Sequence, residues 1–331
     1  MSAFVTRFAP SPTGLLHLGH AYSALVASRA ANAQGGRLIL RIEDIDQTRC
    51  KTEFESAIFK DLEWLGLTWE VPVRRQSDHL SDYENALETL RNRGLAYRCF
   101  KTRKEVADEI SRAPHETPEG PQFFSGPLPR SEEKALIKAG AAFAWRLSIS
   151  EAKRALGEKF DTLSFQQRLP NGEISTVHAT PDIFGDAVIA RKDAGTSYHL
   201  ASVHDDALQG ITHVIRGEDL ASAAHFHRLL QVLLDYPEPI YQHHKLITDD
   251  AGNRLAKRDQ SITATSSGGT AFSIATISVA DKSTFSAPIF SSSRLIFLVP
   301  GIGMMSSPFA MTQANAICAR LTPFSFAISA S

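Results

Sequence analysis

The beginning of this chain constrains its fold more than any other stretch. "FVTRFAP" is a short apolar and β-branched run closed by Pro10 and Pro12, which cannot donate to a sheet and bias the residues before them toward extended backbone. "GHAYSALVASRAANAQGG" follows, rich in alanine and ending on Gly35 and Gly36. That is the pattern of a helix of roughly four turns with a glycine stop. "RLILRIEDID" then reads as a second strand ending in acidic residues. Strand, helix and strand joined by short connections make a βαβ unit, so the sheet is parallel and its ligand site lies beyond the carboxyl ends of the strands. Residues 10–20 and 43–46 both fall at that edge.

What could bind there follows from the residue types. A helix N-terminus carries unpaired backbone N–H groups and the positive end of the helix dipole, which together attract phosphate. Gly14 and Gly19 would let a ligand approach the backbone closely. His17 and His20, three residues apart, share a helix face and can both donate to phosphate oxygens. Taken alone, these letters describe an ordinary helix start with surface histidines equally well. A second stretch changes the balance: "HHKLITDDAGNRLAKRDQS" reads as a strand, an Asp-Asp-Ala-Gly turn and a loop bearing Arg254, Lys257 and Arg258. A lysine on such a loop can stabilise charge that builds on a triphosphate in the transition state.

At 331 residues with 43% hydrophobic side chains, the chain can form two domains with a sizeable core. Amphipathic spacing predicts helices over 51–66 and 77–93, with Leu62, Leu65, Leu80, Leu87 and Leu90 in the core. Residues 1–98 read as the first half of the parallel-sheet domain and 99–182, irregular and proline-rich, as an inserted domain. Residues 183–261 return to the first fold. Within them "GDAVIARKDAGTSYHLASVHDD" reads as strand, turn and strand, and "ITHVIRGEDL" as a buried strand ending in charge.

Residues 262–331 break the pattern. Only Asp281, Lys282, Arg294 and Arg320 are charged there, and glutamate, histidine, tryptophan and tyrosine are all absent. The segment reads as an irregular serine-rich tail or, the reading the abrupt shift favours, as translation in a wrong frame. No function is placed on it.

Composition narrows the setting. Cys50, Cys99 and Cys318 are too few and scattered for a disulfide framework, which favours a reducing compartment and a cytoplasmic protein. No charge-free apolar run reaches the ~18 to 20 residues of a membrane span; "RLIFLVPGIGMM" comes nearest. With 35 basic against 36 acidic residues, net charge gives no sign of a nucleic-acid partner, and "RCFKTRK" at 98–104 reads on charge alone as a solvated face.

Together, "HLGH" and "RLAKR" resemble the paired signature motifs of class I aminoacyl-tRNA synthetases. "RFAPSPTGLLHLGH", "LRIEDID", "THVIRGEDL" and "HHKLITDDAGNRLAKR" resemble the glutamyl branch in particular, in the right order over roughly residues 3–261. The resemblance implies an α/β fold: a Rossmann-like parallel sheet with a smaller inserted α+β domain. Recognisable sequence stops after "RLAKR", where a full-length glutamyl-tRNA synthetase continues into an anticodon-binding domain. The expectation is therefore the short paralogue family without that domain, which joins glutamate to the queuosine base in the anticodon loop of tRNA(Asp).

Carried over by motif, Arg7, Phe8, Ala9, Pro10 and Ser11 would line a glutamate site with Glu43 facing the α-ammonium, completed by Tyr198 and Arg216. Pro10, Gly14, His17, Gly19, His20, Lys257 and Arg258 would bind ATP, and His17, His20 and Lys257 would carry catalysis with Mg²⁺ accompanying the nucleotide. An anionic substrate side chain needs a fixed cation, and Arg7 and Arg216 can offer forked donors. For Tyr198 a plain core or edge role stays open. No side-chain nucleophile is needed.

Many relatives hold zinc through a Cys-x-Cys at the start of the insert. Here that place reads "YRCFKTRK", with Cys99 but Lys101, and one thiolate cannot make a tetrahedral site. His115, His225 and His227 are isolated, so zinc is not expected. L-glutamate, ATP and tRNA(Asp) are the expected partners, of a monomer with no membrane association. The alternatives are a truncated glutamyl-tRNA synthetase charging tRNA(Glu) and a non-catalytic tRNA-binding relative. Retention of His17, His20, Glu43, Arg216 and Lys257 together weighs against the latter.

Overall fold

The computed structural model describes residues 3–102, 104–106 and 125–247, and the backbone of 277–278 and 294–295. β1 (Val5–Phe8) is buried at every position, Thr6 and Arg7 included, as a strand covered on both faces must be. α1 (Leu18–Ala33) crosses over to β2 (Arg37–Ile42), which lies parallel to β1 with Val5 opposite Arg37 and Phe8 opposite Leu40. The glycine stop is a Schellman turn: Gly35 takes a φ of +57° and donates to Asn32, and the Gly36 N–H reaches back to Ala31. A Cβ on Gly36 would collide with the Phe4 carbonyl, so only glycine lets the chain re-enter the sheet there.

α2 (Thr52–Trp64) leads to β3 (Glu70–Arg75), parallel to β2, and α3 (Leu80–Asn92) follows. Leu62, Leu87 and Leu90 are buried as the spacing requires, and Leu65 partly so. Leu80 is not a core residue. It opens α3 on its outward side and is 40% exposed.

β4 (Ala96–Cys99) pairs antiparallel with β5 (Ala144–Leu147), after α4 (Arg130–Lys138), which buries no side chain. α5 (Ile149–Leu156) and the single turn α6 (Glu158–Asp161) precede a hairpin of β6 (Ser164–Arg168) and β7 (Ile174–His178). β8 (Val188–Ala190) then returns to pair with β5. This antiparallel sheet therefore sets a strand from within residues 99–182 between one that ends at Cys99 and one that follows residue 182. Inside that range, β6 pairs in parallel with a core strand, β10 (Ile240–His244), through Tyr241 and Gln167. One hydrophobic cluster runs through Leu147, Phe165, Ile189, Val214 and Phe226.

The second strand expected in "GTSYHLASVHDD" is a helix, α7 (Tyr198–Leu208). The Ser197 hydroxyl accepts the Leu200 N–H as its N-cap, and Leu200, Ala201 and Val203 are buried at helical spacing. The run of apolar letters after the turn had mimicked strand alternation, whereas the serine cap decides the backbone. β9 (His213–Gly217), α8 (Ala223–Leu234) and β10 (Ile240–His244) complete the described core, with β9 and β10 parallel and Arg216 opposite His243. The halves meet where Thr212 donates its N–H to the Val5 carbonyl and accepts the Val5 N–H on its hydroxyl, at 3.0 and 2.8 Å. No helix among the described residues is long and apolar enough to cross a membrane.

Candidate active site

The carboxyl ends of β1, β9 and β10 and the start of α1 surround one cavity of about 440 Å³. That is a volume suited to a small ligand. Arg7, Phe8, Ala9, Pro10, Ser11, His17, Gly19, His20, Glu43, Tyr198 and Arg216 all line it, although they lie far apart in the chain. Gly14 does not line it, and the lining passes from Ser11 to His17. Lys257 and Arg258 lie outside the described residues.

One wall rests on a buried charge network. Arg7 Nε donates to Asp206 Oδ1 at 3.1 Å, and Arg41, fully buried, donates to the same oxygen at 2.9 Å and to Glu43 Oε1 at 3.2 Å. Burial pushes the Asp206 carboxyl upward, but Arg7 and Arg41 outweigh it and hold it below the usual range. Glu43 is the opposite case: burial raises its carboxyl above the usual range against the pull of Arg41 and Arg7. The Glu43 N–H donates to the Pro10 carbonyl at 3.0 Å, which ties the loop after β2 to the loop after β1. Glu43 is thus a buried carboxylate at the cavity wall that an approaching ammonium group would stabilise.

Arg216 is held differently. It is 5% exposed and forms no ion pair with a carboxylate among the described residues, unlike Arg7 and Arg41. Its guanidinium lies over the Tyr241 ring at 5.3 Å and donates to Tyr198 Oη at 3.3 Å, and its buried Nη2 has no hydrogen-bond partner among the described residues. Tyr198 is therefore more than a core aromatic: its hydroxyl braces this cation. A buried guanidinium without a counter-ion costs several kcal/mol, which an anionic ligand group would offset.

At the start of α1 the geometry revises what residues 17–20 were expected to do. His17 is the N-cap: its Nδ1 accepts the Gly19 N–H at 3.1 Å, while His20 Nδ1 accepts the His17 N–H at 3.3 Å. The two imidazoles form a reciprocal capping box, stacked with ring centroids 3.7 Å apart. The His20 and Ala21 N–H groups go to the His17 carbonyl. The helix start therefore does not present the row of open N–H groups that the sequence suggested. Because both Nδ1 atoms accept, the neutral form of each ring carries its proton on Nε2. Gly19 leaves room beside the cap: a Cβ there would sit 3.0 Å from His17 Cε1 and the ring would have to shift by a few tenths of an ångström.

Sequence reasoning missed several lining residues, among them Ser23, Gly217, Asp219 and His244. The Ser23 hydroxyl meets His244 Nε2 at 2.9 Å, joining α1 to the end of β10, and a Cβ at Gly217 would meet Asp219 Oδ1 at 2.5 Å. "HHK" and "RGEDL" were the visible signals. Among the described residues no three His, Cys, Asp or Glu side chains gather in a metal-holding group. His225 Nδ1 accepts the Thr180 N–H, and His115 lies outside the described residues.

Residues 3–271 match the family of class I tRNA synthetases (E and Q), catalytic domain. The chain belongs to this family. It is 47% identical over 263 residues to the glutamyl-Q tRNA(Asp) synthetase of Rhodobacter capsulatus, covering 77% of this chain and 91% of that protein. Against the glutamate–tRNA ligase of Aquifex aeolicus it is 37% identical over 261 residues, 78% of this chain and 52% of that one. Among solved structures, a glutamate tRNA ligase from Elizabethkingia meningosepticum in complex with its amino acid superposes with a TM-score of 0.61 at 28% identity, over 78% of this chain and 52% of that one. The chain thus spans about half the length of the glutamate–tRNA ligases it matches but nearly the whole of the glutamyl-Q relative. Its α/β fold is that of the class I synthetase catalytic domain.

Proposed function

We propose that this chain activates L-glutamate with ATP and transfers the glutamyl group to the queuosine base of tRNA(Asp). The observation that carries the reading is Arg216: a buried cation with no carboxylate partner among the described residues, lining a cavity whose other end is formed by two imidazoles at a helix start. The near-complete coverage of the Rhodobacter capsulatus relative supports the choice of acceptor.

In this reading the substrate's side-chain carboxylate pairs with the guanidinium of Arg216, and its α-ammonium lies toward Glu43. Glutamine would leave the guanidinium unneutralised, a difference of several powers of ten in a dry site. The α-carboxylate attacks the α-phosphorus of Mg²⁺-bound ATP; the bond to the β-phosphate oxygen breaks and pyrophosphate leaves. Charge on the phosphates is met by the Nε2–H donors of His17 and His20, and by Lys257 of the "RLAKR" stretch in the role the family resemblance implies. A nucleophile of the queuosine base then attacks the acyl carbon of the adenylate and AMP departs. No group of the protein becomes acylated.

Two measurements test this. Isotope exchange between pyrophosphate and ATP should depend on glutamate and proceed without tRNA. Glutamyl transfer should occur to queuosine-containing tRNA(Asp) and not to the queuosine-free transcript. Transfer to the 3′ end of tRNA(Glu) would replace this reading with that of a glutamate–tRNA ligase, and no exchange with glutamate under any condition would overturn both.

A further inference from the structure

Arg216 is surrounded by histidines that the sequence reading left unassigned. Its Nε donates to His243 Nε2 at 3.4 Å, and its Nη1 lies 3.4 Å from His227 Nδ1. A guanidinium has no lone pair to offer, so both ring nitrogens must be acceptors. His227 is then protonated on Nε2, which donates to His199 Nδ1 at 3.1 Å and sets the tautomer of that ring as well. His227 is 2% exposed and His243 half-buried, so both contacts with Arg216 lie within the packed wall of the cavity.

The chemistry of the choice becomes visible against the other buried arginines. Arg7 and Arg41 are each held by Asp206, a carboxylate that orients the guanidinium and cancels its charge. At Arg216 the orienting groups are two imidazoles and a phenol. They satisfy N–H donors and fix the plane of the fork while leaving the full positive charge directed at the cavity. A carboxylate in either place would position Arg216 equally well and remove its attraction for an anion.

We propose that His227 and His243 are positioning residues that determine specificity: they seat Arg216 with uncharged acceptors, so that its charge is reserved for the side-chain carboxylate of the amino-acid substrate. This deepens the proposed function and rests on it. The environment agrees. Burial first, and the neighbouring Arg216 second, push the His243 ring down to about 3 and the His199 ring to about 4, and hold His227 well below the ordinary histidine range. All three stay uncharged throughout the physiological range.

The test uses paired substitutions that differ only in charge. Asn at 227 presents an oxygen where Nδ1 stood, and Gln at 243 presents one where Nε2 stood; Asp and Glu present the same oxygen with a negative charge. Glutamate-dependent pyrophosphate exchange, with KM for glutamate and for ATP measured separately, and titration calorimetry of glutamate binding are read on the full chain. H227N and H243Q are expected to keep KM for glutamate within about threefold, while H227D and H243E raise it by about 10- to 100-fold, leave KM for ATP within about threefold and lower the preference for glutamate over glutamine at least about tenfold. Two independent positions, each with a neutral control, guard against one variant that fails to fold. If the acidic and neutral members of both pairs behave alike, the inference is overturned and the functional reading survives. If the unsubstituted chain neither exchanges nor binds glutamate, the functional reading falls and takes the inference with it.

Discussion

At the scale of single residues, the consequential feature is that histidines are kept neutral where a cation is exposed to the ligand. His199 and His243 are pushed down to about 4 and about 3, and His227 well below its usual range, by burial and then by Arg216. The sign of the effect on stability follows. Each ring has a lower pKa folded than unfolded, so between about pH 6.5 and the folded values the unfolded chain binds more protons. Their contribution is complete above about pH 6.5 and is lost as the pH falls, by about 1.4 kcal/mol per ring per pH unit once well inside that window. The thermal midpoint should therefore fall between pH 7 and pH 5, and His227→Asn, which removes one ring, should make the slope shallower. A midpoint flat over that range would contradict burial of neutral rings. Arg216 itself was legible in "THVIRGED", because a charge ending an apolar strand needs a partner. Its histidine seat was not, since His199, His227 and His243 share no motif and meet it only through space.

At the scale of elements, α1 shows how a ligand site and a helix stop can be written in one stretch. Pro10, Pro12 and the paired glycines at 35 and 36 were enough to place its two ends, because they act through local backbone conformation. The use of His17 and His20 as a reciprocal cap was hidden: imidazole is a rare N-cap, and the two rings meet through the fold of the helix start and not through a familiar capping pair of letters. Structural and chemical duties can be separated here. His17→Ala should cost about 1 kcal/mol of stability by urea unfolding, as lost caps do, whereas His17→Asn should recover most of it. Neither should restore pyrophosphate exchange, because asparagine caps the helix without supplying an imidazole Nε2–H. Recovery of exchange by Asn would mean that the ring acts only as a cap. α7 is the instructive failure of local reading, where the cap at Ser197 and burial of Leu200, Ala201 and Val203 outweighed an apparent alternation.

At the scale of the whole molecule, the two halves of the parallel core are joined by charge as well as by apolar packing. Asp205 of α7 accepts from Arg74 Nε at 2.8 Å, Gln76 Nε2 at 2.9 Å and Tyr83 Oη at 2.9 Å, and lies 3.7 Å from Arg41 Nε. These partners sit on β2, β3, α3 and the turn between them. Asp205→Asn leaves Arg41 and Arg74 short of a buried counter-charge and should destabilise the fold by about 3 to 5 kcal/mol. A loss under about 1 kcal/mol by urea unfolding would show that the network is not what couples the halves. The βαβ start and the helices expected over 51–66 and 77–93, found at Thr52–Trp64 and Leu80–Asn92, were determined by the sequence alone, because proline, glycine and hydrophobic period act over a few positions, while the motifs marked Arg7 and Arg216 by resemblance. Which cations are spent inside the protein and which are left for a ligand was decided only by the tertiary structure. Arg7 finds Asp206 across 199 positions of chain, while Arg216 finds rings and a phenol instead. Pairing and desolvation depend on distances through space, and no local pattern of letters carries them.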